Sequence, residues 1–136
     1  MAKLNFAALV LDSKTVEFEF PAMEGFTVQI TYTTAEKYAA LRKECVTTKL
    51  DPHTGYPVES IDQEKWNSAF CKQTIAGWKG LTYNHLASMI LLDESAIEDM
   101  DEEVDYSEEG AEMLLKHSKA FDAWVRERMS DLNNFR

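Results

Sequence analysis

The chain has 136 residues, of which 45% are apolar and 11% aromatic, a composition that folds and that excludes a disordered or low-complexity polypeptide. Its net charge of −10 lies in one place: ten of the 24 acidic residues fall between Asp93 and Glu109, a stretch without Lys or Arg. The other fourteen acids are matched by fourteen bases, so no basic stripe exists for nucleic acid, and phosphate binding is opposed.

One domain is expected over residues 1–136, since a chain of this length buries roughly two-thirds of its unfolded surface. Two cysteines, Cys45 and Cys71, make no disulfide framework and read as reduced, partly buried thiols. The apolar start Phe6–Leu11 is closed by Asp12 and is too short for a secretory segment, and no later run approaches a membrane span. A cytosolic location follows as the expectation, with no membrane partner.

In chain order, residues 3–32 read as a sheet region. Val16, Phe18 and Phe20 alternate with Thr15, Glu17 and Glu19; after Pro21–Gly25, Phe26, Val28, Ile30 and Tyr32 alternate with Thr27, Gln29 and Thr31. Period two around a five-residue connection predicts a β-hairpin with one buried face. A hairpin alone is marginal in water, so a third strand or a helix must cover it, and Leu4–Leu11 is the candidate strand.

Residues 33–92 read as a helical core. Thr33 and Glu36 form a capping-box pattern that opens a helix to about Leu50, ended by Asp51-Pro52. Ser60 and Gln63 open a second helix, with Trp66 and Phe70 on one side and Cys71, Ile75 and Trp78 on another. Trp66, Phe70 and Trp78 are expected in the core, and Gly77 and Gly80 are expected to stop the helix. Leu81–Leu92 reads as a short helix, and residues 93–106 as an acidic loop.

Ser107-Glu-Glu109 starts a terminal helix over 107–135, with an N-cap and acids at the positive end of the dipole. Its seam is Leu114, Phe121, Val125, Leu132 and Phe135, with Ser118 and Arg128 as polar members and Leu115, Trp124 and Met129 widening it. About 25 residues at 1.5 Å each make a rod of about 38 Å. The fold class expected is α+β: a small amino-terminal antiparallel sheet packed on a mainly α-helical body with a long carboxy-terminal helix.

Catalytic, metal and cofactor constellations are not evident. His53, His85 and His117 stand apart, there is no Cys-x-x-Cys, and Gly77-Trp-Lys-Gly80 lacks the spacing of a phosphate-binding loop. Asp99, Asp101, Glu103 and Asp105 occupy alternate positions of a possible calcium loop, but Val104 stands where Gly is needed and Gly110 where a bidentate Glu is needed. The reading is therefore a protein that binds another protein and is not an enzyme.

Three stretches together resemble the tail assembly chaperones of long-tailed (siphovirus-type) bacteriophages. They are Val16–Val28 followed by Tyr32–Glu36; Ile75-Ala-Gly-Trp-Lys-Gly-Leu81; and Tyr106–Leu115 with Ser118, Phe121, Trp124, Val125 and Phe135. Gly110 departs from the pattern, since many relatives carry Asn there. The resemblance implies a protein of the host cytoplasm, absent from the mature virion, that binds the tape-measure protein, keeps it soluble and supports tube assembly around it. It also implies a longer, frameshifted form that recruits the tail tube protein; a chain ending at Arg136 is compatible with the short form. Leu114, Phe121, Trp124, Val125, Met129 and Leu132 are the expected client contacts, because aromatic anchors dominate such interfaces. Exposed aromatics would also favour self-association. Two other readings are a structural minor tail or connector component, and an acidic mimic of nucleic acid; the second is opposed by the confinement of the carboxylates to one loop.

Overall fold

A computed structural model describes residues 5–136. The fold is α+β, with a three-stranded sheet, a two-stranded sheet and six helices among the described residues.

The expected first hairpin is present. β1 (Ser13–Glu19) pairs antiparallel with β2 (Thr27–Thr33), with Val16 opposite Ile30 and Phe18 opposite Val28. The third strand is not Leu4–Leu11. Within that stretch Phe6–Leu9 forms a short exposed helix, α1, capped by Asn5, whose Oδ1 accepts from Ala7 N–H at 3.1 Å, while Leu4 lies outside the described residues. β5 (Ile75–Lys79) takes the place on the other side of β2, giving the order β1-β2-β5.

That arrangement corrects the reading of residues 33–92 as wholly helical. α2 runs only over Ala35–Lys43, with Thr34 rather than Thr33 as its N-cap, because Thr33 is still in β2. The β-branched run after Cys45 leaves the helix and forms β3 (Val46–Leu50), which pairs with β4 (Pro57–Ile61). Asp51-Pro52 thus ends a strand. α3 (Gln63–Thr74) is capped by Asp62, and β5 follows it without a loop. The two glycines serve the sheet. Gly80 has φ +72°, and a Cβ there would stand 1.9 Å from the Gly25 carbonyl oxygen, so only glycine lets the two turns meet.

α4 (Tyr83–Met89) is the short helix expected before the acidic stretch. Residues 93–106 are irregular apart from one 3-10 turn at Glu94–Ala96 and an isolated antiparallel bridge from Glu103 to Thr82. Their far end is strapped to the body: Val104 N–H donates to the Leu81 carbonyl at 2.6 Å and Trp78 Nε1–H to the Val104 carbonyl at 2.8 Å.

The terminal rod is broken. α5 (Glu108–His117) and α6 (Lys119–Ser130) meet at Ser118, and a 3-10 turn, Leu132–Phe135, closes the chain. Ser118 has extended backbone angles, and its hydroxyl oxygen accepts the Phe121 N–H at 3.1 Å, an N-cap inside the core. The seam could be read from spacing, whereas the break could not, because serine within a helix gives no stop signal of its own. Gly110 faces Trp78: a Cβ would lie 3.2 Å from its ring and 2.9 Å from Ser107 Oγ.

One core joins these parts. Phe20, Phe26, Val28 and Ile30 from the hairpin meet Cys71, Ile75, Trp78 and Leu81 from the centre and Ala111, Leu114, Phe121, Trp124, Val125 and Phe135 from the end. Phe20 sits edge-on to Trp124 at 4.8 Å between centroids, and Phe135 packs against Phe18 and Tyr32 at 5.5 and 5.4 Å.

Candidate functional site: a groove between three helices

Four of the six residues expected to meet a client are sealed inside the chain. Leu114 is 1% exposed, Phe121 and Val125 are 0%, and Trp124 is 8%. The break at Ser118 explains this, because it lets α5 pack against α3 while α6 turns to cover β2, so that both halves of the seam enter one core. Met129 is half-buried beneath Tyr38, whose hydroxyl lies 4.0 Å from its sulfur, and only Leu132, at 49%, keeps a large exposed surface. Phe70 and Trp78 are buried as expected and Trp66 partly so.

An unfilled concave surface lies on the other side of the same helices. A groove of about 580 Å³ runs between α3, α5 and α6. Phe70, Leu115 and Met113 give its apolar lining, and Glu64, Asn67, Glu112, Lys116, Asp122 and Arg126 are its polar members. α3 packs on α5, and α5 turns into α6 at Ser118, so the groove is the space that the elbow opens.

Arg126 organises the middle of it. Its Nε–H reaches both Asp122 oxygens at 3.1 Å, one helical turn away. Its guanidinium carbon lies 4.6 Å from the centre of the Phe70 ring. The cation is therefore held beside an aromatic face by the Asp122 carboxylate, while its side chain stays 56% exposed to solvent. Three carboxylates and two cations surround an apolar lining, which suits an amphipathic segment better than a small polar ligand.

The groove lacks an activated nucleophile. Cys71 is buried in the neighbouring core, and burial, with Glu112 and Glu108 adding, pushes its thiol up to about 12. Burial likewise raises the Tyr38 and Tyr106 phenols; Tyr38 is hydrogen-bonded to Thr74 at 2.8 Å, and Tyr106 donates to the Ile75 carbonyl at 3.1 Å. His85 Nδ1 sits 3.1 Å from the Gly80 carbonyl and its side chain helps cap α4. Among the described residues, no three His, Cys, Asp or Glu side chains converge to hold a metal ion, and no helix is long and apolar enough to cross a membrane.

Sequence reasoning missed the groove because its residues come from three helices and from faces next to the apolar seam. Met113 was the available signal: a large apolar residue one position from the buried Leu114, on a helix whose opposite side is acidic. The chain matches no family model, no curated protein sequence and no solved structure.

Proposed function

We propose that this protein is a tail assembly chaperone that holds a helical stretch of the tape-measure protein in the groove between α3, α5 and α6. The observation that carries the reading is the groove itself, with apolar Phe70, Leu115 and Met113 among charges of both signs. An amphipathic helix is about 10 Å wide and presents an apolar stripe flanked by charge, which such a cleft complements. The three stretches that resemble the chaperone family supply much of the core: β1–β2, β5 and the α5–α6 pair. Their side chains act as scaffold, and the docking surface is the solvent side of the helices they anchor. The six residues expected as contacts are replaced in that role by Met113, Leu115 and the polar rim.

Co-expression with a tape-measure fragment tests the reading. The client is expected in the soluble fraction and co-purifying with the chain. Met113→Asp and Leu115→Asp weaken its retention about tenfold or more, as removal of central apolar contacts does. A client that aggregates equally with and without the wild-type chain overturns the proposal. A client kept soluble equally by both groove variants overturns the assigned surface. Presence of the chain in purified virions would instead favour a structural tail or connector component.

A further inference from the structure

We propose that the open edge of β3 is a pairing surface for the β3 of a second copy of this chain, joining two β3–β4 hairpins into one four-stranded sheet. The inference does not depend on the client proposed above.

The hairpin stands apart from the core. No residue between Val46 and Ile61 is buried, and among the described residues no other helix or strand makes more than marginal contact with β3 or β4. Leu50 is 71% exposed, Tyr56 73% and Val58 48%. Two strands without a covering layer are marginal in water, and a third and fourth strand remove that deficit.

The ladder shows which edge is available. Asp62 N–H donates to the Cys45 carbonyl at 2.8 Å and Asp51 N–H to the Tyr56 carbonyl at 2.9 Å. Hydrogen-bonded pairs alternate along an antiparallel ladder, so with Thr47 opposite Ser60 and Lys49 opposite Val58, these odd-numbered β3 residues face β4. The N–H and C=O groups of Val46, Thr48 and Leu50 therefore point outward. On β4 the outward groups belong to Pro57, Glu59 and Ile61.

The two edges differ in chemistry. Pro57 has no N–H, and a two-fold axis through Glu59 would set that carboxylate against its own copy; both are devices that keep an edge from pairing. A two-fold axis through Thr48 meets neither obstacle. It places Thr48 opposite Thr48, Val46 opposite Leu50 and Thr47 opposite Lys49, with all the outward groups in bonding positions and no like charges facing. One face of the joined sheet then carries Val46, Leu50, Pro57 and Ile61 from each copy. The contact is short, below the size of a standard interface, so the association is expected to be weak and concentration-dependent.

Sedimentation equilibrium of the full chain tests this. The mass is expected to rise from one chain towards two below about 1 mM. Thr48→Pro removes an outward N–H while leaving the β3–β4 ladder intact, and Thr48→Lys brings two cations together at the axis; each is expected to weaken association by about tenfold or more. Glu59→Lys alters the unused edge and is expected to leave association unchanged. Circular dichroism and the thermal midpoint confirm that each variant folds, and the two substitutions at residue 48 act by different means. A chain that stays monomeric throughout overturns the proposal, as does a dimer indifferent to both Thr48 variants or one weakened as much by Glu59→Lys.

Discussion

The described residues form two antiparallel hairpins, one with strands of seven residues and one with strands of five, that hold their places by different means. In β1–β2, Phe18, Val28 and Ile30 share one face, and α6 with the final 3-10 turn covers it. In β3–β4, both faces and both edges meet solvent, and the local turn does the organising: Gly55, at φ +72°, donates to the Asp51 carbonyl at 2.7 Å and lets the strands return. The first hairpin is a wall of the core, whereas the second is an arm attached at Cys45 and Asp62. Alternating hydrophobicity marks a strand that something will cover. A strand without that alternation still forms when its residues are β-branched and its turn is well made, but it contributes little to the stability of the whole.

The largest effect should come from removing the cover. Phe121→Ala leaves a cavity where Phe20 and Phe26 meet the helix, and is expected to cost about 3–5 kcal/mol in urea unfolding, enough to unfold many domains of this size. A loss below about 1 kcal/mol would mean that α6 does not support the hairpin.

A second test uses Cys71, which belongs to the body and not to the arm. Its thiol, pushed up from 9.0 to about 12, keeps its proton in the native chain at a pH where the unfolded chain has lost it. The native state then binds more protons, so stability is present below about pH 9 and declines as pH rises towards 12, by at most about 1.4 kcal/mol per unit for this group. Tyr38 and Tyr106, also raised, add to the fall above their ordinary value of 10.0. Urea midpoints measured across this range should show a slope that shrinks in Cys71→Ala; an unchanged slope would dissociate the decline from this thiol.

The smallest effect is expected in the arm. Leu50→Ala and Tyr56→Ala, measured at concentrations where the chain is monomeric, should each change stability by no more than about 0.5 kcal/mol. A cost near that of Phe121→Ala would show the arm to be packed like the body and erase the contrast between the hairpins.

What could be read from the sequence follows the same division. Val16–Phe20 and Phe26–Tyr32 announced their strands because a buried face imposes period two. The first strand of the arm reads as the end of a helix because Thr33–Glu36 resembles a cap and nothing before Asp51-Pro52 stops the helix; the β-branched Val46-Thr47-Thr48 and the turn chemistry of Asp51–Gly55 are the contrary signals. Ile75 and Trp78 looked like a helix face because a short central strand, buried among helices, needs no long alternation. On sequence alone the client contacts fall on the most aromatic face of the last helix. Aromaticity alone does not tell a surface that awaits a partner from one that has already found its partner within the chain, and here Phe20 and Phe26 had claimed it.

Ser118 also denies the molecule a straight terminal rod. Sealed from water and bonded to Phe121 N–H, it ends one helix and begins the next, so straightening the joint would pull Leu114 and Phe121 out of the shared core. The carboxy-terminal third is thus a bent bracket instead of a straight pole. The inside of the bend is a corner between α3, α5 and α6, and one buried hydroxyl caps the helix that forms its second arm.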